Sequence, residues 1–155
     1  MSQEVSLSEP ELAVWRGFLR VHEELVAELD EELRRERGMP LATYDVLVQL
    51  SFAPGRRLRM RELADAVLLS RSGLTRLVDR LVREGLVARE PCPDDARGAF
   101  AALTPAGAQA LRRARPVHLA GVRRLFLDRL STTQQSALAD AWDRLRAGER
   151  PGDGG

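Results

Sequence analysis

Residues 61–107 read RELADAVLLSRSGLTRLVDRLVREGLVAREPCPDDARGAFAALTPAG. Two short helical patterns meet at Ser70. Leu63, Ala64 and Val67 share one side of residues 61–68, and Leu74, Leu77, Val78 and Leu81 recur at spacings of three and four over residues 71–84. Ser70 is a good N-cap for the second helix, and Gly85 ends it. Leu86–Glu90 and Ala99–Leu103 are short strand candidates, joined by a turn over Pro91–Gly98. Thr104-Pro105 is an N-cap followed by proline at the first helical position. Helix, turn, helix, strand, turn, strand and new helix is the order of a winged helix-turn-helix.

The flanks read as helices of a different kind. Ser8 with Glu11 three residues later predicts a capping box. From there Leu12, Trp15, Leu19, His22, Val26, Leu29 and Leu33 form one apolar face, up to a stop at Gly38-Met39-Pro40. A helix of about 28 residues is long for a globular protein and needs something to lie against. A second helix spans about 41–52, with Tyr44, Leu47, Val48 and Phe52 inward, and Leu58 marks a very short strand. The helix after Pro105 is expected to reach about Leu130, with Pro116 kinking or interrupting it. Ser131 or Thr132 caps a last helix to about Arg146, and residues 147–155 have the composition of a disordered tail.

Length and composition narrow the class. A chain of 155 residues suffices for one domain with a real core, and 44% hydrophobic with 30% charged residues is ordinary for a globular protein. No apolar run approaches the roughly 20 residues that span a bilayer, and the acidic N-terminus lacks the order of a signal peptide, so a cytoplasmic protein without membrane contact is expected. One cysteine, Cys92, excludes an internal disulfide, and two histidines with no defined spacing suggest no metal site. Paired carboxylates, a nucleophile elbow and a phosphate loop are all lacking, so no enzyme, catalytic residue or cofactor is expected.

Charge is unevenly spread. The net charge of +1 conceals a segment 9–37 with nine acids against five arginines, and a segment 56–89 with nine arginines against four acids. A local basic zone on a nearly neutral chain fits a polyanion-binding face. Within it, residues 71–84 divide cleanly. The four apolar residues go to the core, and Arg71, Ser72, Gly73, Thr75, Arg76 and Asp79 are left outside in the first two turns. Short polar groups and arginine, without bulky obstruction, are what a helix entering a major groove needs there. Arg97 would project from the tip of the wing, where an arginine can enter a minor groove. Asp95 cannot bind phosphate; its expected part is to orient the wing by pairing with Arg80.

These residues together resemble the MarR (multiple-antibiotic-resistance regulator) family of transcription factors. The resemblance rests on Arg61-Glu62-Leu63-Ala64, on Ser70-Arg71-Ser72-Gly73-Leu74-Thr75-Arg76-Leu77-Val78-Asp79-Arg80-Leu81, on Glu84-Gly85-Leu86-Val87, on Asp95-Ala96-Arg97-Gly98 and on Leu103-Thr104-Pro105-Ala106-Gly107. Ala96 departs from it, because the family often has a second basic residue there. The resemblance implies a mainly α fold with a small β-wing: a winged helix-turn-helix over about 41–104, with a helical dimerisation region from about 9–37 and 105–146, all in a single domain. It implies a homodimer that binds a pseudo-palindromic operator in double-stranded DNA, with Ser70, Arg71, Ser72, Gly73, Thr75, Arg76, Arg80 and Arg97 at the DNA. It further implies a repressor released by a small aromatic or phenolic ligand. Trp15, His22, Tyr44 and Phe52 are the candidate ligand pocket. Two alternatives stand beside this: a winged-helix protein-interaction module, and a redox-responsive regulator acting through Cys92 beside Arg97.

Overall fold

The computed structural model describes residues 6–67, 69–93 and 95–148; of Asp95, Ala96 and Arg97 it describes the backbone alone. The expected roles of the Asp95 and Arg97 side chains, and most of the expected tail, therefore lie outside the described residues. The described elements run α1 (Glu9–Arg37), α2 (Leu41–Phe52), β1 (Arg57–Arg59), α3 (Met60–Ala66), α4 (Arg71–Arg83), β2 (Val87–Cys92), β3 (Asp95–Leu103), α5 (Pro105–Leu125) and α6 (Thr132–Ala147). The three strands form one antiparallel sheet in the order β1-β3-β2. This is the mainly α architecture with a small β-wing that the sequence predicts. The chain divides into two compact units, residues 1–118 and 119–155, with all three strands in the first.

The core of the first unit forms around α2. Leu41, Thr43, Tyr44, Val46, Leu47 and Leu50 are buried, so this helix is covered on most sides. Leu33 of α1, Met39, Leu63 and Ala64 of α3, the Leu74, Leu77, Val78 and Leu81 stripe of α4, Val87 and Ala101 of the sheet, and Ala110, Leu111 and Ala114 of α5 complete the cluster. Each fully buried leucine contributes about 2 kcal/mol relative to exposure. Phe52 does not join them: it is 74% exposed, not inward. It lies two residues past Leu50, about 200° round the helix, and so faces away from the core.

Local chemistry sets the corners. Glu11 accepts hydrogen bonds from the Ser8 backbone N–H and hydroxyl, both at 2.7 Å, at the start of α1. Asp30 accepts from Leu41 N at 2.8 Å and from Arg34 Nε at 2.6 Å, joining the end of α1 to the first turn of α2. Those donors, Arg34 first, hold the Asp30 carboxyl below the usual aspartate range. Ser70 caps α4 by accepting from Gly73 N at 3.1 Å.

Three further expectations need correction. The predicted apolar face of α1 is buried only at Leu33; Trp15 and His22, expected inward, are exposed, because the first two-thirds of this helix stands clear of the core. The strands of the wing are longer than predicted, with Cys92 opposite Asp95, so the turn is much shorter than Pro91–Gly98. Pro91 sits inside β2, which is tolerable because β2 is an edge strand, and the register shifts next to it. Finally, α5 continues through Pro116 and ends at Leu125, with a 3-10 turn over Leu127–Arg129.

The base of the wing meets α5 very closely. Thr104 Oγ1 donates to the Gly85 carbonyl at 2.7 Å and accepts from Gly107 N at 3.0 Å, and Thr104 N donates to the Leu86 carbonyl at 3.2 Å. A Cβ on Gly107 would stand 2.1 Å from the Leu86 carbonyl oxygen. Both sides of that contact are backbone, so neither yields easily. Gly107→Ala is expected to lower the unfolding free energy by about 1–3 kcal/mol in urea titration. An unchanged midpoint would show that the corner relaxes.

Candidate nucleic-acid interface

The outer face of α4 is set by what its inner face buries. Leu74, Leu77, Val78 and Leu81 turn to the core, leaving Arg71, Ser72, Thr75 and Arg76 exposed on the first two turns and Gly73 half-buried. The Thr75 hydroxyl donates to the Arg71 carbonyl at 2.9 Å, which keeps its oxygen lone pairs and its methyl free. Ser70 Oγ lies 3.1 Å from Gly73 N and 3.4 Å from Ser72 Oγ. A Cβ on residue 73 would come within 3.0 Å of the Ser70 hydroxyl, so glycine there also makes room for the cap.

Beside this face lies an open cleft of about 430 Å³, between the start of α3, the first turns of α4 and the sheet. Arg59, Arg61, Arg71, Thr75, Arg89 and Gly98 are among its lining. Arg59, Arg61 and Arg89 were not singled out by sequence reading; their clustering in the basic segment was the signal that could have found them. Arg59 stacks over the Phe100 ring at 5.6 Å, with Arg57 over the same ring at 4.9 Å. Arg57 also pairs with Glu90 at 3.0 Å, so β1, β3 and β2 are tied across one face of the sheet.

Arg80 stands differently from expectation. It donates to Thr43 Oγ1 at 3.2 Å and lies 3.7 Å from Glu84, so it is held towards α2. The described ion pair from α4 to the wing is instead Asp79 with Arg89, at 2.8 Å. Both partners are substantially exposed, so the pair adds at most about 1 kcal/mol to stability; its effect is on the angle of β2 against α4.

The four residues of the expected ligand pocket do not come together within one chain. Trp15 precedes Asp30, where α1 meets α2, by about 22 Å of helix, and His22 precedes it by about 12 Å. Both flank Phe18 on α1, with ring centroids 6.1 and 6.2 Å from it. Tyr44 is buried and packs against His118, at 4.3 Å between ring centroids and a 35° tilt. Phe52 lies out on the surface under the Arg115 guanidinium, at 5.4 Å. Cys92 is buried at the end of β2.

This geometry is that of a winged helix-turn-helix protein with a basic face around the first turns of α4. The MarR family model matches residues 37–98. Sco3205, a MarR family transcriptional regulator from Streptomyces coelicolor solved in complex with DNA, is 41% identical, with 98% of this chain and 96% of that one covered at a TM-score of 0.86. AbsC, a MarR family regulator from the same organism, is 35% identical over 94% of this chain and 97% of its own, at a TM-score of 0.85. An HTH-type transcriptional regulator of Bacillus cereus is 32% identical over 119 residues, 76% of this chain and 77% of that protein. The chain belongs to the MarR family and is a transcriptional regulator of that family. Among the described residues no helix is long and apolar enough to cross a membrane.

His118 provides a pH test of this unit. Burial lowers its pKa below 6.5, and its Nδ1 is buried with no hydrogen-bond partner among the described residues. The fold therefore prefers the neutral ring. Above pH 6.5 the ring is neutral in both folded and unfolded chains and costs nothing; as pH falls below 6.5 the unfolded chain takes up the proton first and stability is lost. Urea midpoints should drop between pH 7.5 and 5.5, and less so in His118→Phe. Equal losses in both proteins would place the acid sensitivity elsewhere.

Proposed function

We propose that the protein is a homodimeric repressor that reads a pseudo-palindromic operator with α4 in the major groove. The observation that carries this is the division of α4, whose apolar stripe is buried while Arg71, Ser72, Thr75 and Arg76 stand exposed at its N-terminal half. Arg76 is suited to bidentate contact with a guanine edge, and the Thr75 methyl to a thymine methyl. Ser70, Gly73 and the N-terminal amides of α4 suit phosphate. Arg97 is assigned to the wing's contact with the backbone or minor groove, with Asp95 orienting it. Arg80 is kept as a DNA contact only if it leaves Thr43. The DNA complex of Sco3205 supports the assignment of duplex DNA as partner.

Dimerisation is inferred from α1. Val14, Trp15, Leu19 and Val26 are 76%, 52%, 47% and 41% exposed along a helix with one buried residue. An extended apolar stripe of this kind marks an association surface, and a second copy is the partner that places two recognition helices one DNA turn apart. On this reading residues 9–37 and 105–146 form the dimerisation region and 41–104 the DNA-binding lobe. Release by a small ligand, the finer expectation from the family, would act by changing the distance between the two copies of α4.

Binding of the DNA upstream of the protein's own gene tests the reading. Arg76→Ala should weaken binding by about 1–3 kcal/mol and relax sequence preference. Arg97→Ala should weaken binding to all sequences and reduce the salt slope by about one. Normal binding by both variants would overturn these roles. Trp15→Glu combined with Leu19→Glu should convert the dimer to monomer in sedimentation and abolish operator binding, whereas a wild-type monomer at micromolar concentration would remove the dimer from the proposal.

A further inference from the structure

A second basic site is lined by no residue of α4. Residues from the end of α2, the turn after it, the end of β3 and the first half of α5 line an open cleft of about 260 Å³. Three arginines line it: Arg56, Arg112 and Arg115. Among the described residues none of the three forms an ion pair with a carboxylate. Three like charges gathered without a counter-ion repel one another, and their mutual cost is relieved by an anion placed between them.

The rest of the lining narrows the ligand. Leu103 and Leu111 supply an apolar wall, and the exposed Phe52 ring lies under the Arg115 guanidinium at 5.4 Å. The contact with the Phe52 ring places the Arg115 guanidinium at the rim of the cleft. Arg56 adopts a left-handed backbone, φ 54°, directly after Gly55 at φ 63°. That conformation is unfavourable for a non-glycine residue, and such strain collects at ligand sites. The cleft is slightly below the roughly 300 Å³ at which drug-sized pockets begin, so it suits a small molecule with one ring.

We propose that this cleft binds a small organic phosphate monoester carrying a planar ring. Its dianionic group would be held by Arg56 and Arg112 through bidentate guanidinium contacts, with the ring against Phe52 and Leu111. Three guanidiniums exceed what a monocarboxylate needs, and the planar ring accounts for the aromatic wall. The assignment does not depend on the DNA-binding proposal, since binding is measured without DNA.

Calorimetric titration of the full-length protein with para-nitrophenyl phosphate, inorganic phosphate and benzoate tests it. One para-nitrophenyl phosphate per chain should bind about tenfold more tightly than either of the others. Arg56→Ala and Arg112→Ala should each weaken it by about tenfold, as expected for loss of a charge-assisted pair, while Arg71→Ala leaves it unchanged. Phe52→Ala should reduce the advantage over inorganic phosphate. The proposal is overturned by absence of saturable binding in the millimolar range, or by a loss confined to Arg71→Ala, which would put the anion at α4. It is equally overturned if Arg112→Ala weakens self-association and para-nitrophenyl phosphate does not bind, because the arginines would then face carboxylates of a second copy.

Discussion

Burial of Leu74, Leu77, Val78 and Leu81 along one side of α4 is the constraint on which the rest of the molecule depends. It fixes the rotation of the helix about its own axis, and with it the exposed set Arg71, Ser72, Thr75 and Arg76. A helix held by four apolar side chains cannot turn by even one residue without bringing a charge into the core, Arg76 and Arg80 in one direction or Asp79 in the other, and an unpaired buried charge is very costly. The same burial joins α4 to α2 and α3, so the polar face is presented by a rigid body. The Ser70 cap adds a fixed start at the end where the polar residues lie.

The wing is held to that body by polar contacts at its base and edge. Thr104 gathers the Gly85 carbonyl, the Leu86 carbonyl and Gly107 N into one corner, and the close approach of Gly107 to Leu86 leaves no slack there. The Asp79–Arg89 pair and the arginine stack on Phe100 then brace the strands from opposite edges. Individually these surface interactions are weak. Their value is directional: the Asp79–Arg89 pair restricts the angle between α4 and the sheet, and the contacts on Phe100 hold β1 against β3. The corner also connects the start of α5 to the end of α4, so displacement of either is passed to the other.

α1 is built on a different balance. Its capping box and its Asp30 corner make it a well-formed helix, yet its apolar residues remain largely in solvent over the first two-thirds. Nine acids against five arginines over residues 9–37 make this exposed face net negative.

Much of this was legible in the sequence because it is local. Helix periodicity, the Ser70 and Thr104 caps, the stop at Gly38 and the order of elements follow from residues three or four apart, and so the winged helix-turn-helix and the outward face of α4 are readable without coordinates. Tertiary structure decided what depends on residues distant in the chain. Arg80 turned to Thr43, and the brace to the wing fell to Asp79 and Arg89 through strand register. Tyr44 met His118, not Trp15, because the length of α1 carries Trp15 far from α2. Arg56 joined Arg112 and Arg115 because a left-handed turn after α2 brought it back to α5. The sequence alone thus determined the class of fold and its polar face, through short-range hydrogen bonding and apolar spacing. Packing decided which charges converge, because side-chain proximity between elements is set by the whole core and not by spacing along the chain.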